Sequence, residues 1–86
     1  MKNISINPNV SFQILDDEMI ILNKATGMYH EINSSGIKIW KILESGQIKP
    51  LDLKEKILNL PDTNMKIDEI DNFLKDLLIR DILIET

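Results

Sequence analysis

The side chains able to do chemistry are few and scattered. His30 is the one histidine, cysteine is absent, and the 14 carboxylates spread along the 86 residues with one run of three, Asp16-Asp17-Glu18. A transition-metal site needs several nitrogen or sulfur ligands, and His30 has neither a second histidine nor a cysteine to join it. A calcium loop alternates its oxygen ligands around a glycine, whereas these three acids are consecutive. They read as a solvated hairpin turn. Covalent catalysis needs a nucleophile beside a base, and acid–base catalysis needs paired titrating groups in a pocket. Neither is offered here. The three glycines, Gly27, Gly36 and Gly46, are isolated, so no phosphate-cradling loop is present. These residues imply no catalytic group, no metal and no cofactor, and favour a binding module over an enzyme.

Composition limits what such a module could bind. Eighty-six residues make one domain, 1–86, and 43% hydrophobic residues suffice for one compact core. The longest apolar stretch, Met19 to Leu22, is far too short to span a bilayer. The start of the chain lacks the apolar run of a signal peptide, so a soluble, cytoplasmic protein is expected, with no membrane partner. The net charge is −4. Nucleic acid repels such a protein on average unless a local basic patch overcomes it.

Two apolar periods divide the chain near Asn33. Before it, Val10 to Leu15 reads as a strand with Val10, Phe12 and Ile14 on one face. Met19 to Asn23 reads as a second strand, nearly all apolar and therefore the middle one. Lys24 to Gly27 forms a tight turn with Gly27 in the left-handed position. Met28 to Ile32 is a third strand, with Met28, His30 and Ile32 on one face and Tyr29 and Glu31 on the other. After it, a helix starts at Asn33 or Ser34, runs to about Glu44 and stops at Gly46. Trp40 is its core anchor. A second helix starts at Pro50 and ends before Pro61. A third starts at Asp68, presents Ile70, Phe73, Leu74, Leu77 and Leu78, and ends near Asp81. Ile82-Leu83-Ile84 is an apolar tail able to pair or pack. The expected fold is α+β: a three-stranded antiparallel sheet followed by three helices, like a winged helix-turn-helix. Winged helices often bind DNA through the last helix. From Asp68 to Asp81, however, five acids (Asp68, Glu69, Asp71, Asp76, Asp81) face two bases (Lys75, Arg80), a balance of −3 that disfavours phosphates.

A more specific signal lies in Thr26-Gly27-Met28-Tyr29-His30-Glu31-Ile32-Asn33, followed by Gly36, Ile39-Trp40, Leu43 and Gly46. It continues through Leu53 and Ile57 of the second helix and Phe73 and Leu77 of the third. Over residues 8 to 84 this order and spacing resembles the PqqD-like family of precursor-peptide recognition elements. The chain departs from that pattern at Asp81, where a glycine commonly ends the third helix, and at His30, where an aromatic is usual. The resemblance implies a non-catalytic domain. The leader of a ribosomally made precursor peptide adds as a strand to the edge of the third strand, in the groove beside the third helix. The domain then presents the precursor to a partner: a leader peptidase of a lasso-peptide pathway, favoured because the domain stands alone, or else a radical-SAM enzyme.

Carried onto this chain, the edge is the backbone of Met28, Tyr29, His30, Glu31 and Ile32, and Phe73 and Leu77 line one wall. Glu69, Asp76 and Arg80 flank the Phe73 side of the third helix; Leu78, Asp71 and Lys75 flank the other. Sequence alone leaves open which border faces the groove. It also leaves open a homodimer, since a free strand edge suits a second copy as well as a peptide.

Overall fold

Alternating and continuous apolar runs form the expected sheet. A computed structural model of the chain describes residues 2–61 and 64–86. In it β2 (Val10–Leu15), β3 (Glu18–Asn23) and β4 (Met28–Ile32) make an antiparallel sheet in the order β2-β3-β4. The apolar strand β3 is central, as its composition requires. Asp16, at φ 55°, turns the first hairpin, and Gly27, at φ 75°, turns the second. The sheet's inner face carries Met19, Ile21 and Ile32, all buried.

The first helix packs against that face, and two further helices complete the core around it. In α1 (Ser34–Leu43) the Asn33 side chain caps the first turn by accepting from the Gly36 N–H. Gly36, Ile37, Ile39, Trp40 and Leu43 of this helix are buried. Trp40 is fully buried and meets the Phe12 ring edge-on at 5.4 Å. The second helix, α2 (Pro50–Leu58), begins on its proline and contributes Leu53 and Ile57 to the core. The third, α3 (Ile67–Ile79), contributes Ile70, Leu74 and Leu77. It starts one residue earlier than Asp68. Lys66 is its N-cap and Asp68 sits in the first turn, where a carboxylate complements the helix dipole without capping.

Two further strands extend the expected order of three strands and three helices. Ile4–Ile6 (β1) pairs antiparallel with Leu83–Glu85 (β5), and Ile4 also bridges to Ile48. The apolar tail thus pairs as well as packs. This small sheet ties both ends of the chain beneath α3, burying Ile4, Ile82 and Leu83. The fold is therefore α+β, with a three-stranded antiparallel sheet, three helices and a terminal two-stranded sheet. Among the described residues no helix is long and apolar enough to cross a membrane.

Candidate functional site

β4 has β3 on one side and, among the described residues, no strand paired on the other. Its hydrogen-bonding pattern follows from the hairpin. The Gly27 N–H donates to the Asn23 carbonyl (2.8 Å), which makes Asn23 and Met28 a bonded pair across a glycine bulge. Antiparallel pairs alternate between bonded and non-bonded. Met28, His30 and Ile32 therefore spend their main-chain groups on β3. Tyr29 and Glu31 turn theirs to the open edge.

The side chains divide the opposite way. Tyr29 and Glu31 project from the outer face of the sheet, so what they offer toward α3 is main chain. Met28, His30 and Ile32 project inward. The His30 Nε2 lies 3.6 Å from Asp76 Oδ2, and the Arg80 Nε–H donates to Asp76 Oδ1 at 3.1 Å. These contacts decide which border of α3 faces the strand: the one carrying Glu69, Phe73, Asp76 and Arg80. The other border faces away. Asp71 there pairs with Lys54 of α2, and Lys75 and Leu78 line a depression with Ile4 and Pro50.

Between β4 and the end of α3 lies a cavity of about 260 Å³ lined by Asn23, Thr26, Met28, His30, Ile79 and Arg80, among others. Two of its walls are large apolar side chains left in water, Met28 at 64% and Ile79 at 79% exposure. Phe73 is half-buried further along the groove. Its ring would lie 3.0 and 3.1 Å from a Cβ placed on Gly36, so the glycine brings α1 close against it.

The expected site residues are thus only partly assembled. Met28, His30, Asp76 and Arg80 meet at or beside the cavity, and Phe73 stands beyond them on the same helix border. Glu69 is exposed one turn before Phe73. Leu77 does not line the groove: it is fully buried, because the helix turns it under α3 into the core. Ile32 is also buried by its side chain and serves as the inner end of the strand.

Burial of the His30 imidazole lowers its pKa, the Arg80 guanidinium lowers it further, and the Asp76 carboxylate opposes both. These effects together favour the neutral ring, and its approach to Asp76 is an ion pair only when the ring is protonated. Among the described residues no group of three or more His, Asp or Glu side chains could hold a metal ion.

Sequence reasoning missed Asn23. It is the one buried polar side chain among the described residues, at 3% exposure. Its Nδ2 donates to the carbonyls of Arg80 (3.4 Å) and Asp81 (3.3 Å), while its Oδ1 accepts from the Ala25 N–H (3.0 Å). The Asn7 side chain donates to the Asp81 carbonyl as well (2.7 Å). These bonds hold the end of α3, where Asp81 adopts φ 58°, against the β3–β4 turn. Asn23→Ala takes this partner from the Arg80 carbonyl and the Ala25 N–H, while the Asp81 carbonyl keeps Asn7, and an expected loss of about 2 kcal/mol is read by denaturant unfolding.

The chain is similar in structure to TbiB1, solved in complex with the TbiA(beta) leader peptide. The TM-score is 0.73 at 25% identity, and the match covers 92% of this chain and 93% of TbiB1. No protein-family model matches the chain, and no curated protein sequence does. The likeness to TbiB1 runs through nearly the whole of both chains, so β4, α3 and the groove between them fall within a shared architecture.

Proposed function

We propose that this chain is a recognition domain that binds the leader segment of a ribosomally made precursor peptide by strand addition, and catalyses nothing. The observation that carries this reading is the open edge of β4 beside an apolar-walled cavity under α3. An extended peptide satisfies the free N–H and C=O groups of Tyr29 and Glu31, and alternate peptide side chains enter the groove. Main-chain bonds supply affinity, and the Met28, Ile79 and Phe73 surfaces supply selectivity. The leader-bound state of TbiB1 supports the same ligand class.

The finer reading follows the PqqD-like resemblance. The bound domain raises the local concentration of precursor at a partner enzyme in the cytoplasm, which contributes through effective concentration and not through chemistry. A leader peptidase of a lasso-peptide pathway is that partner; a radical-SAM enzyme is the second reading, and co-purification with each distinguishes them.

Binding is tested by titration calorimetry with a synthetic precursor leader peptide, beginning with the TbiA(beta) leader. Ile79→Ser and Phe73→Ala are each expected to weaken binding about tenfold, as truncated apolar anchors do. Ile79→Ser should leave thermal stability unchanged, because the side chain is exposed. Phe73→Ala should remain folded. Unchanged affinity with a large loss of stability would return Phe73 to the core.

A further inference from the structure

β2 is the other edge of the same sheet, and it lacks the usual protection. Edge strands of soluble proteins carry charges, prolines or bulges that discourage pairing. From Val10 to Leu15 there is no charge and no proline. The helices cover it only in part, with Trp40 of α1 against the Phe12 ring. Phe12 and Ile14 point to the inner face yet are 42% and 44% exposed, and Leu15 on the outer face is 48% exposed.

The free groups of this edge have two-fold symmetry. The Lys24 N–H donates to the Asn9 carbonyl (3.0 Å), so by alternation Ser11, Gln13 and Leu15 bond to β3. Val10, Phe12 and Ile14 turn outward, evenly spaced about Phe12. The Val10 N–H is held by the Asn7 carbonyl (3.1 Å), which leaves its C=O free.

We propose that β2 pairs antiparallel with β2 of a second copy about a two-fold axis at Phe12. Phe12 exchanges both main-chain bonds with its counterpart, and each Ile14 N–H reaches the second copy's Val10 carbonyl. Ser11 stands opposite the second copy's Gln13. The acids Asp16 and Asp17 come to lie beside the second copy's uncharged Pro8 and Asn7. The two acidic turns then sit about 26 Å apart at the strand rise, well beyond the screening length of about 10 Å. An acidic chain can thus associate here without like charges meeting. The product is a six-stranded sheet whose two outer edges are the β4 strands, so a dimer carries two open peptide edges. This pairing stands independently of what β4 binds.

Sedimentation over a concentration series tests it. The mass should rise from 9.9 kDa toward twice that value. Ile14→Pro should stay monomeric and folded, since its N–H faces the free edge. The register is tested by charge. Ser11→Lys with Gln13→Lys places like charges opposite each other on both sides of the axis and should weaken dimerisation about tenfold. Ser11→Lys with Gln13→Glu places opposite charges there and should restore it. A mass of 9.9 kDa at every concentration overturns the proposal. So does a dimer that the folded double-lysine variant leaves intact, or one that both double variants weaken equally.

Discussion

Proline at Tyr29 or at Glu31 weakens peptide binding roughly a hundredfold and leaves the domain folded, whereas proline at His30 unfolds it. The difference follows from the direction of each N–H. The bonded pairs of β4 with β3 are Met28, His30 and Ile32, so a proline at His30 removes a ladder bond inside the sheet and its ring meets β3. At Tyr29 and Glu31 the N–H points to the open edge, a position where strands tolerate proline. There the substitution costs the folded chain little but deprives an added strand of a donor. It also sets a ring in the strand's path. Loss of that bond, together with the peptide carbonyl left unsatisfied, amounts to about 3 kcal/mol, or roughly a hundredfold in affinity. Calorimetry with the leader peptide reads the affinity and circular dichroism reads the fold. Folded Tyr29→Pro and Glu31→Pro variants that bind normally would falsify strand addition at β4.

Gly36→Ala has a comparable effect by another route. Alanine is the better helix former by about 1 kcal/mol, so a surface site would gain from the change. Gly36 is buried where α1 meets the end of β4 and α3. An added methyl would overlap Ile32 Cγ2 and press on the Phe73 ring at 3.0–3.1 Å. Overpacking of this kind costs about 1–3 kcal/mol; the overlap with Ile32 puts it at the upper end, so after the helix gain the expected net loss is about 2 kcal/mol. For a domain of this size that lowers Tm by about 10 °C. Peptide affinity falls as well, because Ile32 ends the edge strand and Phe73 stands in the groove. A double-mutant cycle with Phe73→Ala checks the cause: truncating the ring should cost less stability in the Gly36→Ala background than alone. Additive losses would place the strain elsewhere.

Local chemistry was legible in the residues themselves. The apolar run Met19 to Leu22 declared a central strand, Gly27 a left-handed turn, Asn33 a cap and Pro50 a helix start, each because its physics acts within a few residues. The poverty of nucleophiles and ligands was equally local and pointed toward binding. Gly36 stood out only as part of the family-like pattern, and the reason for a glycine there lies in side chains of two other elements.

What crosses the chain was not legible. Strand β1 is three residues long, and its partner β5 lies at the far end of the sequence, so no period could mark it. The apolar stripe of α3 is symmetric enough that both its borders were candidates. Only the packing of His30 against Asp76 chose one, and the same packing turned Leu77 inward. Asn23 read only as the last residue of the middle strand until the end of α3 was brought onto it. The sequence by itself determined the three strands of the main sheet and the three helices, and set the expectation of a binding module. The tertiary structure decided which strand edges stay open, which face of α3 borders one of them, and which apolar side chains remain in water. Those are properties of surfaces, and a surface exists only after distant segments have covered one another.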